Sequence, residues 1–206
     1  MTPSNQLTVL RIFLTPVFVF LLLMGGVLST QTATIVFIVA SITDWYDGYV
    51  ARKYGYVSKW GKYLDPIADK ILISSAILAF VVLKYIQLWM VIVIITRDVM
   101  ITGLRSYALL INRTVQTNTL AKWKTASQMM LIFFVLMVIN LEKTGITENG
   151  QMIHWEHINF SEIIEKASLF VTVFTAITGI YYLIENRQLI KSLAWRFYRV
   201  FIPSDL

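Results

Sequence analysis

The chain has 206 residues, of which 57% are hydrophobic and only 15% charged, with a formal net charge of +6 and no cysteine. Soluble domains sit near 45–50% apolar and about 25% charged, so this composition is that of an integral membrane protein, read as a single domain over 1–206. Disulfides and thiolate metal sites are excluded, and the basic excess reports topology and anionic lipid or phosphate, with no nucleic-acid partner expected.

Apolar stretches follow one another at roughly 8–28, 33–50, 63–83, 88–111, 123–141 and 163–185. Each is close to the ~20 residues that span a bilayer, and only a helix satisfies its own backbone there, so the expected fold is an all-α bundle of six transmembrane helices. The N-terminal MTPSNQLTVLRIF has neither a basic n-region nor a small-residue cleavage site, so the first run reads as a span, not a cleaved signal. The connections alternate in charge. The 25–34 loop carries none, the 84–88 loop only Lys84, and 141–162 is acid-leaning with Glu142, Glu148, Glu156 and Glu162. The other set carries Arg52, Lys53, Lys59 and Lys62, then Arg113, Lys122 and Lys124, then Arg187, Lys191, Arg196 and Arg199. The positive-inside rule puts this second set, and both termini, in the cytoplasm of a multi-pass protein of the cell (inner) membrane. The aromatic and basic tail from Asn186 reads as a helix lying on the anionic leaflet. His154 and His157, in the outward loop, offer too few ligands for a metal site and read as solvated.

The second run is interrupted by charge, in TDWYDGYVARKYGYVSKWGKYLDPIADK over 43–70. An ionised carboxylate at a helix centre costs roughly 2.5–3.5 kcal/mol on insertion scales, so four unpaired aspartates would cost roughly 10 kcal/mol. Asp44, Asp47, Gly48 and Ala51 fall at i, i+3, i+4 and i+7, one face of a helix with two carboxylates beside two minimal side chains. Gly61, Asp65 and Asp69 repeat at i, i+4 and i+8 on the next helix, and a turn around Gly55 lets the two faces meet. Pairing with Arg52, Lys53, Lys62 and Lys70 is the competing reading, but ion pairs do not require small residues on the acids' own face. Four converging carboxylates with no Cys and no nearby His select a hard divalent cation, Mg²⁺ or Mn²⁺. Two ions suit four carboxylates, and paired ions suit displacement at phosphorus. The surrounding Tyr and Trp residues read as an interfacial belt.

This pattern, Asp44-x2-Asp47-Gly48-x2-Ala51-Arg52-x8-Gly61-x3-Asp65-x3-Asp69, resembles at every fixed position the signature of the CDP-alcohol phosphatidyltransferase family. The resemblance implies a six-helix membrane enzyme, usually a homodimer, that transfers the phosphatidyl group of a CDP-linked lipid to an alcohol and releases CMP. It also implies that Asp44, Asp47 and Asp65 hold a first metal, Asp65 and Asp69 a second, and that Asp69 is the general base. Gly48 and Arg52 match nucleotide-contacting positions, and Ser58 falls where the family often has a hydroxyl residue. Asn5-Gln6-Leu7-Thr8 resembles an element, usually preceded by Pro where Ser4 stands here, that caps the CDP site through Asn5 and Thr8.

The fourth run contains Arg97 and Asp98, expected to be the deepest charges in the sequence and, as helix neighbours, unable simply to neutralise each other. Arg105 lies eight residues beyond Arg97, about 80° around the helix and 12 Å along it, toward the cytoplasmic end. With Lys122 and Lys124 opening the fifth run, Arg105 forms a cationic cluster suited to the phosphate of a phosphorylated acceptor. These segments are similar to the R-[DE]-x4-x-L-R and K-x-K-T-x2-Q elements of the family's bacterial phosphatidylglycerophosphate synthase branch, with Ala121 where a Gly is usual. The expected reaction is therefore transfer from CDP-diacylglycerol to sn-glycerol 3-phosphate. Inositol phosphate, serine or phosphatidylglycerol are the alternative acceptors. A divalent-cation transporter, the reading from another class, would need its acids near mid-membrane with access from both sides.

Overall fold

The computed structural model describes residues 3–54, 61–111, 119–144, 147–148, 151–152 and 159–193. Six long helices run in chain order: α1 Pro3–Leu23, α2 Val27–Tyr54, α3 Gly61–Val82, α4 Leu88–Leu110, α5 Thr119–Thr144 and α6 Phe160–Glu185. A further helical stretch, α7, occupies 187–193. Strands among the described residues amount to one antiparallel pair of two-residue segments, β1 Thr147–Glu148 and β2 Gln151–Met152, between α5 and α6. The described residues are thus all-helical apart from this small hairpin and the short connections.

Each expected apolar run falls mainly on one helix, but the first, 8–28, runs past the end of α1 through the turn at 24–26 into α2, and several helices outrun their apolar stretch. The clearest case is the polar GGVLSTQTAT segment, expected as a loop, which is helical from Val27. Its hydroxyls bond back one turn: Thr30 Oγ1 donates to the Gly26 carbonyl at 2.9 Å, Thr32 to Leu28 at 2.8 Å and Thr34 to Thr30 at 2.9 Å. A threonine hydroxyl satisfied by its own helix needs no water, so polarity did not end the helix. At the other end α2 continues through the charged signature to Tyr54.

Short connections set the helices antiparallel. Only residues 24–26 separate α1 from α2, and Gly25 turns the chain at φ +77°, a left-handed conformation that suits a residue without Cβ. Between α3 and α4 the amides of Tyr85 and Ile86 both reach the Phe80 carbonyl, at 2.9 and 3.4 Å. Side chains then lace this end of the bundle together. Asn140 donates to Thr34 at 2.8 Å, Lys143 to Thr30 at 2.9 Å and Gln87 to Glu165 at 2.6 Å. Tyr85 donates to Glu142 at 2.5 Å, and burial together with this carboxylate raises the phenol pKa above its ordinary value. The start of α2, the end of α5, the α3–α4 turn and the start of α6 therefore share one end. The C-terminal half of α2, the start of α3, the end of α4, the start of α5 and the end of α6 lie toward the other.

A main apolar core joins the six helices, from Phe18 and Phe37 through Leu72, Phe80 and Ile94 to Ile132, and a smaller cluster of Ile101, Leu104 and Tyr182 lies between α4 and α6. Phe37 packs at 5.2 Å from Phe18 and edge-on at 5.3 Å from Phe133. The outside is apolar too: Phe13, Leu28, Val82, Val99, Met130 and Phe170, one from each helix, are all exposed. Patches of that kind are rare on soluble monomers and suit lipid. Among the described residues Trp123–Thr144 and Phe160–Glu185 are long and apolar enough to cross a membrane, while Leu7–Leu23, Val27–Thr43 and Lys70–Val82 are shorter apolar stretches.

Gly25→Ala should destabilise the protein by about 1–2 kcal/mol, the cost of a Cβ in the left-handed region. Gly103→Ala, inside α4 where nothing lies within 4 Å of an added Cβ, should instead stabilise by about 0.5–1 kcal/mol. Thermal unfolding in detergent checks both, and a Gly25→Ala protein as stable as the parent would remove the turn's conformational demand.

Candidate active site

At the middle of α4 the Asp98 carboxylate is almost wholly buried and collects donors from three helices. Lys124, on the second turn of α5 and itself only 1% exposed, donates to both carboxylate oxygens. Lys70 of α3 approaches Oδ2 at 3.3 Å, and Gln128, one turn along α5 from Lys124, lies 3.5 Å from the same oxygen. Arg97 Nη1 lies 3.3 Å from Oδ1. A long guanidinium can swing across the angle between successive Cβ directions, so Arg97 and Asp98 do pair, contrary to the expectation from helix geometry. Within the protein, Arg11 and Lys124 are enclosed more completely than either.

Arg97 also crosses to α6. Its Nη2 donates to Thr178 Oγ1 at 3.3 Å, and a Cβ placed on Gly179 would lie 2.8 Å from its Cγ. Gly179 is thus the gap through which Arg97 passes. One turn further along, Tyr182 of α6 underlies Arg105 of α4, whose guanidinium carbon is 5.6 Å from the ring centroid, a cation–π distance. Arg97 Nε, Arg105 Nε, Thr175 Oγ1 and the Tyr182 hydroxyl are buried with no hydrogen-bond partner among the described residues. Buried polar atoms in native proteins nearly always have partners, so this α4–α6 seam is chemically suited to a polar ligand.

Among the described side chains, three cations on one carboxylate leave a positive excess in a low-dielectric interior. Such a cluster is held because each cation has a partner; removing one member of a buried pair costs about 3–5 kcal/mol. The excess itself favours an anion.

The other expected site residues lie as follows. Asp44, Asp47, Gly48 and Arg52 are on the helical backbone of α2, and Asp65 and Asp69 on that of α3, but their side chains lie outside the described residues. The side chains of Asn5 and Lys122 lie outside them as well, as do Ser58, His154 and His157 entirely. Thr8 is fully buried on α1, in line with Arg11 and Thr15, where Thr15 bonds the Arg11 carbonyl at 2.9 Å. Arg105 keeps its expected end of the bundle; Lys124 faces inward onto Asp98. Among the described side chains no group of three or more His, Asp or Glu could hold a metal. The helical backbone does place Asp44 and Asp47, and Asp65 and Asp69, one turn apart, and their all-oxygen donor set fits a hard divalent cation.

Thr178, Gly179 and Tyr182 were not marked by the sequence, and Gln128 entered only as the last residue of the K-x-K-T-x2-Q element, with no role given to it. One signal was legible: Ser168, Thr172, Thr175, Thr178 and Tyr182 recur at helical spacing within an apolar run, and all five are buried. Lys70 read only as a candidate ion-pair partner of the signature aspartates.

The model of the family described as CDP-alcohol phosphatidyltransferase matches residues 1–174. Several curated bacterial proteins named CDP-diacylglycerol–glycerol-3-phosphate 3-phosphatidyltransferase are similar to the chain. The one from Rickettsia bellii is 34% identical over 86% of this chain and 91% of its own length. That from Bacillus subtilis is 40% identical over 65% of this chain and 75% of its own, and that from Mycoplasma genitalium 35% identical over 74% and 72%. Thr178, Gly179 and Tyr182 lie beyond the segment that the family model matches.

Gly179→Ala should destabilise the protein by about 1–3 kcal/mol, because the new methyl overlaps the Arg97 stem. In an Arg97→Ala background the same change should cost clearly less, since contacting residues couple. Equal costs in both backgrounds, by thermal unfolding, would show that Gly179 does not make room for Arg97.

Proposed function

Because the chain belongs to the CDP-alcohol phosphatidyltransferase family, we propose that it transfers the phosphatidyl group of CDP-diacylglycerol to sn-glycerol 3-phosphate, giving phosphatidylglycerophosphate and CMP. The observation that carries the choice of acceptor is the excess of positive charge among the described side chains, where Arg97, Lys70 and Lys124 gather on the one carboxylate of Asp98, with Arg105 stacked nearby. A neutral or zwitterionic acceptor such as serine would leave that charge unused. A phosphorylated one uses it, and glycerol 3-phosphate is the acceptor in the names of the relatives.

The six helices span the inner membrane with both termini and the site on the cytoplasmic side, where the basic connections lie, and the whole chain 1–206 forms one domain. The protein works as a homodimer. The donor's acyl chains remain in lipid, while its cytidine meets Gly48, Arg52 and Ser58, with Asn5 and Thr8 closing over it. The family's reaction generally uses divalent metals. Asp44, Asp47 and Asp65 would hold one Mg²⁺ or Mn²⁺ and Asp65 and Asp69 a second, and when bound these supply charge neutralisation at the pyrophosphate. Asp69 accepts the proton from the acceptor's 1-hydroxyl as that oxygen attacks the phosphorus bonded to diacylglycerol. The bond to the bridging oxygen breaks, and CMP leaves with that oxygen. Arg105 and Lys122 grip the acceptor phosphate, and Lys124, seated on Asp98, adds positive potential behind it.

Purified protein given CDP-diacylglycerol, Mg²⁺ and each candidate acceptor in turn should release CMP with glycerol 3-phosphate. Release with serine or inositol phosphate instead would overturn the acceptor. Asp69→Asn should lower turnover about 10²–10⁴-fold while CDP-lipid binding persists, the range expected for a general base. Retention of activity within about tenfold would remove Asp69 from that role. Arg105→Ala should raise the KM for glycerol 3-phosphate by about ten- to a hundredfold, as a charge-assisted contact of about 1.5–3 kcal/mol is lost. The KM for CDP-diacylglycerol should barely move, and Arg105→Lys should recover only part of the loss because a point charge cannot grip two oxygens at once. An unaltered acceptor KM in Arg105→Ala would place the phosphate elsewhere.

A further inference from the structure

The Asp98 carboxylate has no place in the transfer chemistry, yet it is the most densely bonded side chain among those described. Its donors differ in kind. Lys124 is fully enclosed and bonds both oxygens, and with one charge each the two form a complete pair. Lys70 and Arg97 are held more loosely, each at 3.3 Å from a single oxygen, and are less buried, with side chains 27% and 11% exposed. Arg97 has capacity to spare, because its Nε has no partner among the described residues.

Gathering cations without a counter-ion would be unfavourable, since like charges a few ångströms apart repel strongly where water is scarce. The carboxylate makes the gathering possible. It also ties α4 to α3 and α5 at this level, and its α3 contact, Lys70, immediately follows Asp69 in the chain.

We propose that Asp98 is a positioning residue of the acceptor site, a buried anion that holds Arg97 and Lys70 from two helices at one point so that their unmatched charge is ready for the acceptor's phosphate. This rests on the phosphorylated-acceptor reading above. Lys124 closes the arrangement from behind, and the Thr178–Gly179 gap in α6 fixes the far side of Arg97. The carboxylate does not touch the substrate; it acts through the two cations. A counter-ion whose role was solely to neutralise Lys124 would have no such effect.

The two roles separate in a Lys124→Met background. Asp98→Asn alone would strand the enclosed Lys124 and threaten folding. In Lys124→Met that problem is absent, and Asp98 still faces Arg97 and Lys70. The experiment compares Lys124→Met with Asp98→Asn/Lys124→Met, both purified and checked by thermal unfolding, in CMP release with glycerol 3-phosphate and CDP-diacylglycerol varied separately. The expected result is an acceptor KM about fivefold or more higher in the double variant than in Lys124→Met, with the KM for CDP-diacylglycerol within about twofold, the size of effect that coupled neighbours show. Adding Arg97→Ala to both should shrink that ratio, because the residue through which Asp98 acts is gone. Equal acceptor KM values in the two variants would overturn the proposal and leave Asp98 as the counter-ion of Lys124. A parallel rise in both KM values would also overturn it, as general loosening. The function reading stands or falls separately, on whether the unaltered protein releases CMP when glycerol 3-phosphate is added.

Discussion

A carboxylate and an ammonium enclosed together in the middle of a helical bundle set the terms for everything around them. Asp98 and Lys124 lie on different helices, and neither reaches bulk water. Separated, each would be an uncompensated charge in an apolar interior; together they fix the rotation of α4 against α5 and leave the remaining donors of the cluster little freedom. The charge imbalance that follows, with Lys70 and Arg97 added to a carboxylate already matched, distinguishes this core from a purely structural ion pair. A core built for stability alone is served as well or better by apolar residues of the same volume.

The two ends of the bundle handle polarity differently. At the α3–α4 turn, hydroxyls, amides and single charges bond one another in pairs, as between Asn140 and Thr34 or Lys143 and Thr30, and little capacity is left over. Toward the other end lie an arginine stacked on Tyr182 and several buried atoms without partners among the described residues. The same helices thus carry a closed polar layer at one end and an open one at the other. Antiparallel packing with short turns makes this division possible, because it brings the ends of α2, α4 and α6 beside the starts of α3 and α5.

Much of this could be read from the sequence, and the exceptions have physical causes. Six apolar runs gave six helices, since a run of that length has no other way to satisfy its backbone in lipid. Their limits were less legible: Thr30, Thr32 and Thr34 looked like a loop, but their hydroxyls bond to their own helix. The aspartate pattern was legible because its spacing repeats on two successive helices. The contact of Arg97 with Asp98 was misjudged because Cβ directions were taken as the reach of a side chain that extends several ångströms farther. The contacts of Lys70 and Gln128 with Asp98 could not be found, since they lie between different helices, and one sequence carries no record of which helices are neighbours. Tyr182 and Gly179 were within reach through the polar stripe of α6, but hydroxyl residues in an apolar run are common enough to pass as packing.

An enzyme joining a lipid-borne donor to a water-soluble anion must hold charge close to the membrane without burying it unpaired. Fixed cations alone would repel one another and favour a site that collapses or hydrates. Fixed anion–cation pairs alone would be neutral and would attract nothing. One carboxylate set among three cations resolves the conflict, because it supplies enough negative charge to keep the cations together and too little to cancel them. On the proposed reading the missing charge arrives with the substrate. The excess positive charge among the described side chains of this cluster is then a source of acceptor binding, and the choice of a phosphorylated alcohol over a neutral one follows from the charges gathered at Asp98 more than from the shape of any pocket.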